Sequence, residues 1–213
     1  MSRRTPHARR RQAGFTLIEL LMGIVLASIF ALALYGFFFT GLDSARSHQS
    51  QAIAQSTGRT AIDRLASEIR QSISPDDGLT PPLIALSPTN LELYVDPSRS
   101  VAATTPRPEK VRYAIVSNQL VRERAVPVGV TPPYSYGAYA NREVLIDKLQ
   151  NGATAAFGAV TPEGAALPAT PTSTQLRDAA QVSVRLMISQ KTGNAASMLE
   201  LNTDVALRNA IRL

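Results

Sequence analysis

The most informative stretch of this 213-residue chain is Gly14-Phe15-Thr16-Leu17-Ile18-Glu19-Leu20-Leu21-Met22-Gly23-Ile24-Val25-Leu26-Ala27-Ser28-Ile29-Phe30-Ala31-Leu32-Ala33-Leu34-Tyr35-Gly36-Phe37-Phe38-Phe39. Its last 20 residues, Leu20 to Phe39, carry no charge, and as a helix they would be about 30 Å long at ~1.5 Å per residue. That length matches the hydrocarbon thickness of one bilayer. The stretch therefore predicts a single membrane-spanning helix.

A basic leader precedes this stretch and contains five arginines and no acid: Arg3, Arg4, Arg9, Arg10 and Arg11. Basic flanks stay on the cytoplasmic side, so we expect the amino terminus in the cytoplasm and the C-terminal part exported. An ordinary secretory signal places its small-residue cleavage site after the apolar run. Here the small pair Ala13-Gly14 comes before the run, so the apolar helix is expected to survive cleavage.

Glu19 is an acid within the apolar segment. An ionised carboxylate in the bilayer costs roughly 2.5 to 3.5 kcal/mol unless it is paired, so the residue is expected to have a partner and a function. The simpler alternative is a plain single-pass anchor with a chance acid near its interface. That alternative leaves the spacing of Gly14, Phe15 and Glu19 unexplained.

The segment Gly14 to Glu19 resembles the prepilin cleavage and methylation motif of type IV pilins and type II secretion pseudopilins. The resemblance implies that prepilin peptidase cuts after Gly14 and methylates the new terminus at Phe15. It implies that Glu19 neutralises the terminal amine of a neighbouring subunit during assembly. It also implies three kinds of partner, namely the peptidase, other major and minor pilin subunits, and an inner-membrane assembly platform.

Composition narrows the function classes. The chain has 22 Lys and Arg against 16 Asp and Glu, but the leader carries five of the bases, which leaves 17. The excess of positive charge is therefore weak support for nucleic-acid binding.

There is no cysteine, and the two histidines are His7 and His48, so disulfides, thiolate metal sites and a histidine-based active site in the globular part are excluded. No spaced set of other groups suggests an enzyme, a cofactor or a metal site, and Asp76-Asp77 predicts a helix-end turn rather than a calcium loop.

The next segment predicts a second, amphipathic half of the same helix. Apolar residues recur at three- and four-residue steps, at Ile62, Leu65, Ala66, Ile69 and Ile73. The opposite face, expected to be solvated, carries Arg59, Asp63, Arg64, Glu68 and Arg70, with Arg59–Asp63 and Arg64–Glu68 at ion-pair spacing. Ser74-Pro75 should end the helix. Candidate bends or local melting points are Gly36, Gly41 and Gly58.

From Pro75 the pattern changes to short alternating runs between turn residues, which predicts an antiparallel sheet packed on the helix. The clearest hairpin joins 111–116 to 120–126 through Ser117-Asn118, and a closing hairpin joins 182–188 to 199–207 across a polar loop at 189–195. The stretch 151–175 predicts a long loop or mobile insertion. The fold class is thus α+β, a pilin-like lollipop divided into the leader 1–14, the assembly helix 15–41, its amphipathic half 42–74 and the β-rich domain 75–213.

The order of elements after residue 74 resembles PilW or J-type (GspJ) minor subunits. The resemblance and the length of the mature chain favour a minor subunit that primes or tips a type IV pilus. A J-type minor pseudopilin of type II secretion and a competence pilus remain open. So does a tip receptor or adhesin that binds DNA or surfaces.

Two residue groups are candidates for contacts with partners. Basic residues on or beside the first hairpin could touch phosphates, as Arg107, Lys110, Arg112, Arg122 and Arg124. The alternative is an ordinary charged sheet face in which Glu109 and Glu123 act as neutralisers. Tyr134, Tyr136 and Tyr139 either form an interface with a partner subunit or close over the sheet edge as core.

Overall fold

The structure is a computed structural model that describes residues 16–76, 78–97, 107–129, 131–192 and 195–207, with no side chains described at 191–196. The chain divides into two compact units, Met1–Arg46 and Ser47–Leu213. Gly14, Phe15 and the leader lie outside the described residues, as does Asp77. Cleavage and methylation at Gly14 and Phe15 therefore stay predictions.

The first element is α1, a continuous helix from Leu17 to Arg70 that runs through both units. It passes through Gly36, Gly41 and Gly58 without interruption, so the predicted local melting at these glycines is wrong. The helix also ends three residues earlier than Ile73. Ser72 pairs with Val95 as an isolated antiparallel bridge, and the Ile73 amide donates to the Tyr94 carbonyl at 3.0 Å. The backbone thus leaves the helix and pairs with β-strand residues before Pro75.

In the first unit the helix is apolar on every side. Its large apolar side chains are exposed, from 36% at Leu42 to 82% at Leu17. The helix has a mean hydropathy of 2.5 over its most apolar window, and none of that window is buried. By length and composition it is a candidate membrane span, as the sequence predicts. The Ser28 and Thr40 hydroxyls donate to carbonyls four residues back, Ser28 to Ile24 at 2.8 Å and Thr40 to Gly36 at 2.9 Å.

The second unit contains a five-stranded antiparallel sheet of order β1-β2-β3-β4-β7. Its strands are β1 (Leu83–Ser87), β2 (Asn90–Val95), β3 (Glu109–Val116), β4 (Gln119–Ala125) and β7 (Ala140–Ile146). The predicted hairpin is confirmed as β3 and β4, paired from Val116↔Gln119 to Lys110↔Ala125. Ser117 and Asn118 adopt left-handed backbone angles, as a two-residue type I′ hairpin turn requires. A small pair, β5 (Pro127–Val128) and β6 (Ser135–Tyr136), follows β4.

A three-stranded antiparallel sheet of order β10-β9-β8 completes the unit. Its strands are β8 (Phe157–Val160), β9 (Gln181–Thr192) and β10 (Ala195–Ala206), and a short helix, α2 (Ser173–Arg177), precedes β9. The closing hairpin is confirmed, but both of its strands extend into the predicted loop at 189–195. The predicted loop at 151–175 is also wrong, because it contains β8 and the capped beginning of α2.

The core of this unit joins one side of α1 to both sheets. The helix contributes Ala61, Leu65, Ala66 and Ile69, and partly buried Ile62 packs beside them. Gly58 lies so close to the second sheet that a Cβ there would be 2.7 Å from Ile188 Cδ1 and inside the contact distance of Leu201. Gly58 is therefore a packing position. The α+β fold of a long helix followed by an antiparallel sheet domain, pilin-like in layout, is confirmed.

Candidate assembly site

The amino-terminal end of α1 is held by Thr16 and Glu19. The Thr16 amide and hydroxyl both lie 3.2 Å from Glu19 Oε2, and the Glu19 amide donates to the Thr16 hydroxyl at 3.3 Å. This is a capping box, in which a Thr and a Glu three residues apart satisfy free amides at a helix start. The Thr16-Leu17-Ile18-Glu19 spacing is a sequence signal for this capping box, in addition to the intersubunit partner expected for Glu19.

The capping box leaves part of the Glu19 carboxylate open. All three hydrogen bonds involve Oε2 or the Thr16 hydroxyl, and no described residue donates to Oε1. A carboxylate can accept about four hydrogen bonds, so the local contacts do not exhaust it. The positive end of the helix dipole lies beside it. Glu19 is thus positioned by its own helix while one oxygen can receive a cation.

A second acidic residue, Glu68, is largely enclosed between α1 and the five-stranded sheet. It accepts a hydrogen bond from the Tyr113 hydroxyl at 2.7 Å, and its two oxygens lie 3.0 and 3.1 Å from Arg122 Nε. The terminal nitrogen of Arg122 adds a 2.8 Å contact, and the side chains of Glu68 and Arg122 are 14% and 11% exposed. The solvated face that the sequence predicts is therefore wrong at Glu68.

This cluster extends along the helix through Arg64. Arg64 lies 3.6 Å from Glu68, as the predicted spacing requires, and 2.6 Å from Glu143 on β7. Arg59, Asp63 and Arg70 are exposed as expected, but no described ion pair joins Arg59 to Asp63. One side of the polar face thus fastens α1 to β3, β4 and β7, and the other side is solvated.

Burial and contacts with Glu68 shift the pKa values of Tyr113 and Arg122. Burial first, and then the charge and hydrogen bond of Glu68, raise the pKa of Tyr113 well above its ordinary value. Burial alone would lower the pKa of Arg122, but the hydrogen bond and charge of Glu68 outweigh it and raise that pKa. Tyr113 therefore stays a neutral donor and Arg122 stays a cation, which is the combination that the Glu68 carboxylate needs.

The basic residues proposed for phosphate contact are engaged within the domain. The Arg107 guanidinium donates to the Pro127 carbonyl at 3.2 Å. Arg122 belongs to the Glu68 cluster, and Arg124 lies 3.6 Å from Glu109 Oε2. Arg124 and Glu109 therefore match the alternative of a charged sheet face with its own neutralisers.

Lys110 and Arg112 lie on the outer face of the same sheet, among acids and aromatic rings. Arg112 contacts Glu123 at 2.5 Å and lies 4.3 Å from the ring centre of Tyr139. Lys110 lies 4.7 Å from the ring centre of Tyr136, within cation–π range. Both cations thus have intramolecular partners, and none of the five proposed phosphate contacts is a solitary charge. DNA contact stays a prediction without geometric support.

The tyrosine-bearing segment folds onto this outer face. Tyr136 donates to the Pro108 carbonyl at 3.0 Å, and Tyr139 donates to Glu92 at 3.1 Å. Burial raises the pKa of both hydroxyls. Tyr134, also half-buried, makes its own contacts. Tyr136 and Tyr139 close over the sheet, and a partner interface at these tyrosines stays a prediction.

The described residues contain no group of three or more His, Cys, Asp or Glu side chains able to hold a metal ion. Comparison with known proteins gives one family match. Residues 9–35 match the prokaryotic N-terminal methylation motif, which covers the end of the leader, Gly14, Phe15, Glu19 and much of the apolar helix. No curated protein matches the chain.

Proposed function

We propose, from the N-terminal signature that this chain shares with the type IV pilin and pseudopilin superfamily, that it is a minor pilin-like subunit of a type IV pilus. The matched motif supports a pilin-like protein, and α1 is its candidate membrane anchor. The observation that carries the proposal is that the matched motif, residues 9–35, overlaps the start of α1, a helix that is followed along the chain by a β-sheet domain.

The assembly step follows from the geometry around Glu19. Cleavage after Gly14 would create an ammonium group at Phe15, and in the bilayer that cation and the Glu19 carboxylate each pay a desolvation cost. Pairing the ammonium of one subunit with the open oxygen of Glu19 on another offsets both costs. The capping box holds the carboxylate at the helix start, so less conformational freedom is lost when the pair forms.

The minor role rests on size and on the resemblance of the β-rich domain. Removal of 14 residues from 213 leaves a mature chain of 199 residues, and the chain has no cysteine-bounded loop. These features support a subunit that primes assembly and then sits near the fibre tip, in contact with other pilins and with the inner-membrane platform. A J-type pseudopilin would share all of them, so the fibre with which the protein co-purifies decides between the two.

The first experiment measures the mass and the amino-terminal sequence of the membrane-extracted protein, with and without active prepilin peptidase. We expect a chain that starts at Phe15 with one added methyl group when the peptidase is active, and a chain that starts at Met1 when it is not. A chain that keeps Met1 in the presence of active peptidase would reject the proposal.

The second experiment separates the charge of Glu19 from its capping role. Glu19→Ala removes both, whereas Glu19→Gln keeps a side chain that can complete a capping box but carries no charge. We expect both variants to be processed and both to enter the fibre about tenfold less than the parent, since only the carboxylate can neutralise an ammonium. Normal fibre incorporation of Glu19→Gln would show that capping suffices, and the pairing mechanism would be abandoned.

A further inference from the structure

The described strand edges differ in how they are protected against pairing with another chain. β1 lies against α2 and β8. β7 is paired with β4 in a register that shifts twice, and Asn141 within it has a left-handed backbone angle, features that blunt an edge. β10 instead pairs with β9 over twelve consecutive residue pairs without a shift. No described strand pairs with its other edge, so β10 is the regular free edge of the described domain.

The inner row of β10 is incompletely covered. Leu199 and Leu201 lie opposite Ile188 and Leu186 of β9, which are 3% and 0% exposed. The two leucines of β10 are only half-buried, although they pack against the same core. A strand added at this edge would cover the exposed parts of both leucines, and burial of apolar area favours its addition.

The outer row of β10 is acidic. It presents Met198, Glu200, Asn202 and Asp204, all exposed. Glu200 is neutralised by Arg185 at 3.1 Å, but no described residue forms an ion pair with Asp204. Two copies of β10 side by side would add further acids and no base beside Asp204, and like charges across strands are destabilising. The charge of this edge therefore selects a strand that carries a base.

A cleft of about 290 Å³ opens on the same face beside Asp204. Gly158 of β8 helps to form it, because a Cβ at that position would lie 2.8 Å from the Ser183 hydroxyl. Asn202 and Asp204 line the side of the cleft that belongs to β10. Arg185, which is paired with Glu200, also lines this cleft, so a Lys or Arg on an added strand would be attracted to the Asp204 carboxylate rather than into the cleft.

We propose that the free edge of β10 binds an extended strand of a different pilin-like subunit, with a Lys or Arg of that strand opposite Asp204. Main-chain hydrogen bonds along the edge and further burial of the two leucines provide affinity. The charge of Asp204 determines which partner strand is bound. The inference deepens the proposed function and rests on it, since the partner is a fellow fibre subunit.

The test uses the full chain in membranes of cells that produce the other pilin-like subunits of its system. A photoreactive benzoylphenylalanine at Asn202 probes the β10 edge, and the same group at exposed Arg142 probes the interrupted edge of β7 as a control. We expect Asn202 to crosslink to an extended segment of another pilin-like subunit, and Arg142 not to. Mass spectrometry of the joined peptides identifies the segment.

Charge reversal then tests the specific contact. Asp204→Lys is expected to lower the crosslink yield about fivefold, and Lys→Asp or Arg→Asp at the facing base of the captured segment is expected to restore it. The matched control, Asp147→Lys, reverses an exposed acid next to the segment that pairs with the opposite edge of β9, and it should leave the yield unchanged.

Four outcomes would overturn the inference. These are no crosslink at Asn202, capture of β10 from a second copy, capture of this chain's own residues 208–213, or a yield that is insensitive to Asp204→Lys. The amino-terminal mass of the same sample separates the two proposals. A chain processed at Phe15 that gives no Asn202 crosslink overturns the edge contact alone, whereas unprocessed protein with active peptidase overturns the fibre-subunit function.

Discussion

The two halves of α1 share one backbone geometry but meet opposite surroundings. Before Arg46 its apolar side chains are exposed on every side. From Gly58 to Ile69 only one side is apolar, and that side is buried against the two sheets. The distribution of apolar residues around a helix therefore indicates its surroundings. A helix that is apolar on all sides suits lipid or neighbouring helices, whereas a helix with water on one side has a single apolar stripe.

The carboxylates of the two halves show the same contrast. Among the described residues Glu19 has the local partner Thr16, three residues away, and no donor to its second oxygen. Glu68 is enclosed by Tyr113 and Arg122, which are 45 and 54 residues away in sequence. Glu19, with its local hydrogen bonds, can change partner during assembly. Glu68, held between the helix and the sheet, stabilises the fold.

The largest expected effect is on packing. Leu65→Ala removes a fully buried side chain and should lower the free energy of unfolding by about 2 to 5 kcal/mol. The same change at Leu26, which is exposed in the apolar half, should alter it by less than about 0.5 kcal/mol. Urea unfolding of the detergent-solubilised full chain, followed by circular dichroism, measures both. Equal losses in the two variants would contradict the contrast between the halves.

The next effect is on the buried charge. Glu68→Ala leaves Arg122 without its anion and should cost about 3 kcal/mol in the same unfolding measurement. Replacing the whole cluster by Glu68→Met, Arg122→Met and Tyr113→Phe together should recover most of that loss, because no buried polar group is then left unpaired. Asp63→Ala, on the exposed part of the helix, is the control. If the triple variant is as unstable as Glu68→Ala, the cost lies in lost packing and not in the orphaned charge.

Sequence patterns predicted the parts of the fold that are encoded locally. The step of Leu65, Ala66 and Ile69 indicates the buried side of the helix, and Ser117-Asn118 between alternating runs indicates the β3–β4 turn. Each signal lies within a few residues of the structure it specifies. The start of the capping box, Thr16 to Glu19, was equally local and was missed because an intersubunit role already explained the glutamate.

The features that were not predicted depend on distant parts of the chain. β8 consists of four residues, Phe157 to Val160, two of them Gly and Ala, and it is a strand because β9 offers an edge. Polar residues such as Gln190 continue β9 beyond its apolar run because β10 pairs with them. Glu68 looks like a surface residue in a helical pattern. Its burial depends on donors more than forty residues away, which no local period can reveal.

A smaller effect is expected from the helix glycines. Gly58→Leu would press against Leu201 and Ile188, and the cost of overpacking exceeds the gain in helix propensity by about 1 to 2 kcal/mol. Gly41→Leu has no atom within 4 Å of its new Cβ, so the stability of the β domain should not fall. Urea midpoints of the two variants measure the difference. A stabilised Gly58→Leu variant would show that the second sheet yields and that the glycine is not a packing requirement.

The smallest expected effect is a dependence of stability on pH that arises from the cluster of Glu68, Tyr113 and Arg122. Burial and Glu68 raise the pKa of Tyr113, so above pH 10 the unfolded chain loses a proton that the folded chain keeps. The folded state then binds more protons, and its stability falls with rising pH by at most about 1.4 kcal/mol per unit for this tyrosine. Below pH 10 the stabilising contribution is present in full.

Tyr113→Phe separates this tyrosine from the others. Tyr136 and Tyr139 also have raised pKa values from burial, so the unfolding free energy of the variant should still fall with rising pH. The fall should be less steep than in the parent by the contribution of about one proton. Unfolding free energies at several pH values between 9 and about 11.5 give the two slopes. The slope is the informative quantity, because loss of the hydrogen bond to Glu68 lowers stability at every pH, whereas only the ionisation of Tyr113 makes that stability fall more steeply in the parent. Identical slopes would mean that Tyr113 titrates as freely when folded as when unfolded, and that the contact between Glu68 and the sheet opens to water.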